Sequence, residues 1–208
     1  MPINNILKYY KGKVITMISE KRVLEILKKT NVLQKGHFVL SSGRHADKYL
    51  QCAQVLQYPQ YANELAEGIA ELWSEHNIDV VVGPAIGGIV ISYAVGQALK
   101  TRAIFAERKQ EKMKLRRSFN INPDEKILLV EDVVTTGGSV QEVIDMLEEK
   151  NADIIGISSM VDRSGGKASF DYPFKPLIQL DVTSYEAEEC ELCADEIPIT
   201  KPGSRKNI

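Results

Sequence analysis

Ile127-Leu128-Leu129-Val130-Glu131-Asp132-Val133-Val134-Thr135-Thr136-Gly137-Gly138-Ser139 runs from four apolar residues into two adjacent acids and then a Thr/Gly/Ser turn. A helix-patterned segment follows, about Ser139 to Lys150, with Val140, Val143, Ile144 and Leu147 on one face. An uncharged apolar run with polar flanks is the pattern of a strand buried in a parallel sheet. Ligands of open α/β sheets sit just past the carboxyl ends of such strands. Carboxylates there can hold sugar hydroxyls or a hydrated magnesium ion. Glycines let the backbone approach a phosphate, and the N–H groups of a helix start bind it.

Outward from this unit, strand and helix patterns alternate. Upstream lie a helix at Ser19–Lys29 (Val23, Ile26 and Leu27 inward), a hairpin or two linked strands at Phe38–Leu40 and Tyr49–Cys52, and a helix at Asn63–His76. A strand at Asp79–Val82, a helix at Ile89–Lys100 and a strand at Ala103–Ala106 come next, then a polar loop through Asn120. Downstream come strands at Ile154–Val161 and Leu177–Leu180. The alternation predicts an α/β fold with a mostly parallel central sheet flanked by helices. One domain is expected over residues 17–208: a small N-terminal hood at about 17–55, a core at about 60–182, and an acidic tail carrying Cys-x-x-Cys at 183–208. Residues 1–16 read as an extension, and Met17 offers an alternative start.

Composition narrows the class. The chain of 208 residues is 44% hydrophobic, enough for a sizeable core. A net charge of −2 gives no global attraction to nucleic acid or an anionic membrane, and neither is expected as a partner. Cys52, Cys190 and Cys193 are too few for a disulfide framework and point to the reducing cytoplasm. Residues 80–99 carry no charge, but Gly83-Pro84 and Gly87-Gly88 break the run into a strand, a loop and a buried helix rather than a membrane span.

Other stretches could carry chemistry. Gly83-Pro84-Ala85-Ile86-Gly87-Gly88 joins a strand to a helix with small residues, as a phosphate loop or simply a tight turn. Between Glu107 and Arg117, Arg108, Lys109, Lys112, Lys114, Arg116 and Arg117 face only Glu107 and Glu111, a local net charge of +4. Such a run is ordinarily a solvated surface, but its place after the Ala103–Ala106 strand lets it reach over a site at the sheet edge.

The acids followed by Thr-Thr-Gly-Gly-Ser resemble the phosphoribosyl pyrophosphate (PRPP) binding motif of type I phosphoribosyltransferases. Phe38-Val39-Leu40-Ser41-Ser42-Gly43-Arg44, followed by Tyr49, is similar to the N-terminal signature of the orotate phosphoribosyltransferases, which covers the base. The resemblance runs from about Ser19 to about Arg163. It implies condensation of orotate with PRPP to orotidine 5′-monophosphate and pyrophosphate, with Mg²⁺, in pyrimidine synthesis. It also implies a homodimer whose basic loop closes over the partner's site.

Carried over by resemblance, Glu131, Asp132, Val133, Val134, Thr135, Thr136, Gly137, Gly138 and Ser139 bind PRPP, with the acids on the ribose hydroxyls. Arg108, Lys109, Lys112 and Lys114 serve the pyrophosphate, and Thr135 and Arg163 hold orotate. Lys109, Lys112 and Asp132 are the expected catalytic residues, with Lys109 reaching across the dimer. The chain departs from the family at Ser41, where many members have a substrate lysine; either Arg44 or Lys48 replaces it or the contact is absent. It departs again at Ile86-Gly87, where many have Tyr-Lys, and at Lys114-Leu115-Arg116-Arg117 in place of histidine and glycines.

Cys190-Glu191-Leu192-Cys193 supplies two thiols where tetrahedral zinc wants four ligands, and His37, His45 and His76 lie far upstream. The pair is read as reduced and structural, a redox pair or a site shared by two chains being the alternatives, and no residue is assigned to a metal. Two competing functions remain. One is a phosphoribosyltransferase for another base, such as a purine, against which Arg163 and the Ser42-Gly43-Arg44 signature argue. The other is a non-catalytic PRPP-binding regulator that binds nucleic acid, against which the acidic tail argues.

Overall fold

The computed structural model describes residues 8–10, 13–15, 17–40, 42–110 and 112–201. In chain order the elements are β1 (Lys8–Tyr10), β2 (Lys13–Ile15), α1 (Glu20–Lys29), β3 (Leu33–Val39), β4 (His45–Leu50), α2 (Ala53–Leu56), α3 (Pro59–Leu72), β5 (Val80–Pro84) and α4 (Gly87–Leu99). They continue with β6 (Arg102–Lys109), β7 (Lys112–Leu115), β8 (Lys126–Val134), α5 (Gly138–Glu148), β9 (Asp153–Asp162), β10 (Phe174–Gln179), α6 (Glu191–Ala194) and β11 (Ile199–Thr200).

The central sheet has the order β10-β9-β8-β5-β6-β7. All its pairings are parallel except the last, where β7 returns antiparallel to β6. The period of two along each strand sorts the core into two layers. Val81, Leu128 and Val130 face one cluster with Leu65, Ile69 and Trp73 of the α3 segment and Ile91 and Val95 of α4. Val80, Val82, Ile127 and Leu129 face the other, with Val140, Val143, Ile144 and Leu147 of α5. Burial on both faces explains why β5 and β8 carry unbroken apolar runs rather than alternating ones.

Local chemistry sets the helix ends. Ser19 caps α1, its Oγ accepting from the Arg22 amide at 3.2 Å, a contact worth about 1 kcal/mol. Val23, Ile26 and Leu27 are buried, as the spacing predicts. Arg22 also forks onto Glu64 of α3 at 2.6 and 2.9 Å. α3 begins at Pro59, earlier than the apolar repeat indicates, because proline suits the first helical position and needs no N–H partner there.

One expectation is corrected. Residues 107–109 and 112–115 are strand rather than loop: β6 runs on to Lys109, and β7 returns with Arg108 opposite Met113. The reason lies in Lys112-Met113-Lys114-Leu115, where exposed lysines alternate with a buried methionine and a half-buried leucine, a strand period masked by the charges. The C-terminal tail returns to the hood. β11 pairs in parallel with β3, which pairs antiparallel with β4, so residues 199–200 complete a three-stranded sheet with the hood hairpin. Among the described residues, no helix is long and apolar enough to cross a membrane, and residues 80–99 form β5, a turn and α4 as the glycines indicate. The Ser41 position lies outside the described residues.

Candidate active site

β8 carries the motif to the carboxyl edge of the sheet and continues through both acids to Val134. Thr135 to Gly137 then turn the chain into α5. Gly137 has φ +81°, and a Cβ there would meet the Phe170 ring at 2.9 Å, so both conformation and space demand glycine. The turn and the first residues of α5 wall a concavity of about 320 Å³, lined by Arg108, Glu131, Val133 to Val140 and Glu142. Its rim is thus a helix start with backbone amides and hydroxyls, the setting that favours an anion.

The two acids are held by backbone. Glu131 Oε1 accepts from the Asp132 amide at 3.0 Å, and Asp132 Oδ1 accepts from the Val133 amide at 2.9 Å. Glu131 is nearly buried. Burial, and then the neighbouring Asp132 charge, holds the Glu131 carboxyl well above the ordinary carboxylate range. Burial raises Asp132 as well, against the pull of its hydrogen bonds with Glu131 and Val133. Apolar surroundings disfavour the charged forms, so a ligand bringing hydroxyl donors or a cation would be welcomed there.

The first glycine loop meets these acids directly. A Cβ on Gly87 would stand 2.6 Å from Asp132 Oδ1, and one on Gly88 would stand 3.2 Å from Glu131 Oε1. The two motifs that the sequence separates by more than forty residues are therefore one site. The Ala85 amide donates to the Ala106 carbonyl at 2.7 Å, tying the loop to β6.

The orotate candidate, Arg163, follows β9 and is half-buried. Its amide donates to the Val134 carbonyl at 2.8 Å, which fixes it beside the motif strand. Asp162, buried at the last position of β9, accepts from the Ser164 amide at 2.8 Å and from Gln179 Nε2 at 3.2 Å. Cys52 is buried within electrostatic reach of this region. Burial and then the Asp132 charge push its thiol up, while Arg163 pulls it down.

The cations divide into two groups. Arg108 reaches the concavity and pairs with Glu142 of α5 at 2.7 Å. Lys109, Lys112 and Lys114 are exposed on the β6–β7 hairpin and do not line that concavity. Glu107 takes up Arg116 at 3.4 Å and Arg117 at 3.1 Å, so part of the arm's charge is neutralised locally. Arg44 is also engaged elsewhere: its guanidinium donates to Ser184 Oγ at 2.9 Å and the Ser184 carbonyl at 2.7 Å, and it pairs with Glu186. Lys48 lies 3.3 Å from Asp47.

Sequence reasoning assigned no role to Phe170, Glu142 or Asp162. Phe170 was legible only as an aromatic in a polar loop, and Glu142 only as an acid one helical turn beyond Ser139. Asp162, a carboxylate ending an apolar strand, carried the same signal as Glu131 and Asp132.

Comparison with known proteins shows the family. The phosphoribosyl transferase domain family matches residues 51–189. The orotate phosphoribosyltransferase of Caldanaerobacter subterraneus subsp. tengcongensis is 51% identical over 189 residues, 91% of this chain and 100% of that protein. That of Thermotoga maritima is 50% identical over 183 residues, 88% of this chain and 98% of its own length. The solved orotate phosphoribosyltransferase of Mycobacterium tuberculosis H37Rv shares the fold with a TM-score of 0.63 at 20% identity, covering 76% of this chain and 96% of that one. With half of its residues identical to such relatives along nearly its whole length, and with the motif acids and glycine loop joined in one site, the chain belongs to the orotate phosphoribosyltransferase family.

Proposed function

We propose that this protein transfers the phosphoribosyl group of PRPP to orotate, yielding orotidine 5′-monophosphate and pyrophosphate in de novo pyrimidine synthesis. The observation that carries the reading is the joined site: a buried and a half-buried acid on β8 against a glycine loop, beside an amide-rich helix start and a half-buried arginine. The C1′–O bond to pyrophosphate breaks, a C1′–N bond to orotate forms, and the ring N–H proton is released to the departing pyrophosphate or to water, so the protein's main task is positioning and charge stabilisation. The turn at residues 135–139 takes the 5′-phosphate, and Glu131 and Asp132 accept from the ribose hydroxyls. Arg163 forks onto the orotate carboxylate, which a guanidinium matches bidentately, and Thr135 adds a hydroxyl.

The donor set also suits Mg²⁺: two adjacent hard carboxylates, Glu131 lining the polar concavity and Asp132 next to it against Gly87. Glu131 and Asp132 would hold the ion, which would supply positive charge against the departing pyrophosphate. Arg108 is the pyrophosphate cation of this chain's own concavity. Lys109, Lys112 and Lys114 sit where they can serve a neighbouring site, which supports a homodimer with a shared active site. Ile86, Val90 and Tyr93, exposed along one side of the α4 segment, offer such a dimer an apolar contact. Three free cysteines suit the reducing cytoplasm.

A spectrophotometric assay with PRPP and Mg²⁺, run in parallel with orotate and with adenine, tests the assignment. Orotate should be consumed only when PRPP is present, and adenine should be inert. Turnover of adenine alone, or of neither base, would overturn it.

A further inference from the structure

Away from the active site, four side chains capable of binding a metal converge. His37 on β3 and His45 on β4 lie on one face of the hood hairpin, since His45 pairs with Val39 and Val39 is two residues from His37. Their ring nitrogens, His37 Nε2 and His45 Nδ1, are 2.9 Å apart. The tail brings Cys190 and Cys193 to the same spot. Both sulfurs are 3.6 Å from His37 Nε2, and Cys193 Sγ is 3.2 Å from His45 Nδ1. All four atoms fall within 4.8 Å of one another. Separation along the sequence had set the histidines apart from the thiols, and strand pairing removes it.

We propose that His37, His45, Cys190 and Cys193 bind a single Zn²⁺ that clamps the C-terminal segment onto the hood hairpin. Zinc bonds to nitrogen at about 2.0–2.1 Å and to sulfur at about 2.3 Å, which puts tetrahedral ligand edges at roughly 3.3–3.8 Å; the nitrogen–sulfur separations of 3.2 to 3.6 Å lie near that range, and the imidazole nitrogens, 2.9 Å apart, need to part by a few tenths of an ångström. His37 Nδ1 stands 2.8 Å from the Ile197 carbonyl. That carbonyl can only accept, so it fixes the tautomer with the proton on Nδ1 and leaves the Nε2 lone pair facing the other three ligands. Two thiolates with two imidazoles and no oxygen donor exclude magnesium and calcium and select zinc among common tetrahedral ions. His37, His45 and Cys190 are buried and Cys193 is half-buried. Four protein ligands leave no open coordination position, the mark of a structural rather than a catalytic site.

The consequence is mechanical. The same segment supplies the Tyr185–His45 backbone bridge, the Ser184 and Glu186 contacts to Arg44, and β11. The ion would therefore lock the hairpin carrying Ser42-Gly43-Arg44 in place. This inference does not depend on which base the enzyme uses.

Mass spectrometric metal analysis of the full-length protein, refolded with zinc chloride and desalted, should find about one zinc per chain. Replacing zinc by cobalt chloride should give thiolate-to-cobalt charge-transfer absorption and the intense visible bands of tetrahedral Co²⁺. Cys193→Ser should lose the charge-transfer intensity by about half and lower zinc retention at least about tenfold, in line with loss of a ligand. His76→Ala, which alters the remaining histidine, should change neither. Wild-type protein without stoichiometric zinc, or a cobalt spectrum unchanged in Cys193→Ser, would overturn the proposal.

Discussion

The Asp132 carboxyl group fills the space that a side chain on Gly87 would occupy: a Cβ there would lie 2.6–2.8 Å from its Oδ1, Cγ and Oδ2. Real Cβ atoms do not approach so closely, so Gly87→Ala must displace either the acid or the loop. The displacement is local, and a stability loss within the usual ~1–3 kcal/mol is expected. Turnover should suffer more. A loss of at least about tenfold in kcat/KM for PRPP, equivalent to ~1.4 kcal/mol, is expected, with a near-native circular dichroism spectrum. Steady-state kinetics with PRPP as the varied substrate measures it, and an unchanged kcat/KM would separate the loop from the acids.

Asp132→Asn tests the acid itself. Asparagine keeps the oxygen that accepts from the Val133 amide but removes the charge that burial opposes. The variant should melt at the same temperature as the wild type or higher at neutral pH, while turnover falls at least about tenfold. Differential scanning calorimetry and the orotate assay read the two halves independently. Wild-type turnover would remove Asp132 from the mechanism.

The raised carboxyls of Glu131 and Asp132 give stability and activity opposite pH dependence. In the folded protein they hold protons more tightly than in the unfolded chain, where they titrate near pH 4. Between the unfolded and the raised folded values the native state therefore binds more protons, and stability falls as pH rises. Their contribution is complete below the unfolded value and lost once pH passes the folded one. PRPP needs the ionised forms to accept its hydroxyls, so kcat/KM for PRPP should rise through the same window. Melting temperature and kcat/KM recorded over one pH series should move in opposite directions, and parallel curves would refute the assignment of these acids.

Legibility in the sequence followed the strength of periodicity. β5 and β8 read clearly because both their faces are buried, and α5 because Val140, Val143, Ile144 and Leu147 repeat at helical spacing. β7 did not, because lysines at alternate positions hid the apolar period of Met113 and Leu115. The motif residues 131–139 and Arg163 were visible as a pattern, but their juxtaposition with Gly87 was not, since it depends on β5 and β8 being neighbours. The His–Cys cluster was the least visible: His37 and Cys190 are 153 positions apart, and only the pairing of hood and tail joins them.

Arg163 should determine affinity for the base. Its backbone is anchored on Val134, so the side chain starts from a fixed point. Arg163→Lys keeps the charge but loses the fork, and replacing a bidentate contact by a point contact should cost ~1.5–3 kcal/mol, or about ten- to a hundredfold in KM for orotate. KM for PRPP should change little. An effect on PRPP equal to that on orotate would place Arg163 on the wrong substrate.

The exposed position of Lys109 on the β6–β7 hairpin makes subunit sharing testable. Arg108, its neighbour, turns to its own chain's concavity and pairs with Glu142, while Lys109 stands opposite Lys112 near the hairpin tip. Lys109→Ala should lower turnover by at least about tenfold, because a cation engaging the departing pyrophosphate stabilises the transition state more than the ground state. Asp132→Asn disables the acid edge of the same reaction. In a mixed dimer of the two variants, one site combines the intact lysine of one chain with the intact aspartate of the other if the arm crosses the interface. Mixing the two inactive proteins should then restore up to about a quarter of wild-type activity, as random reassortment makes half the dimers mixed with one working site each. If the arm serves its own chain, both sites of the mixed dimer carry a defect and mixing restores nothing.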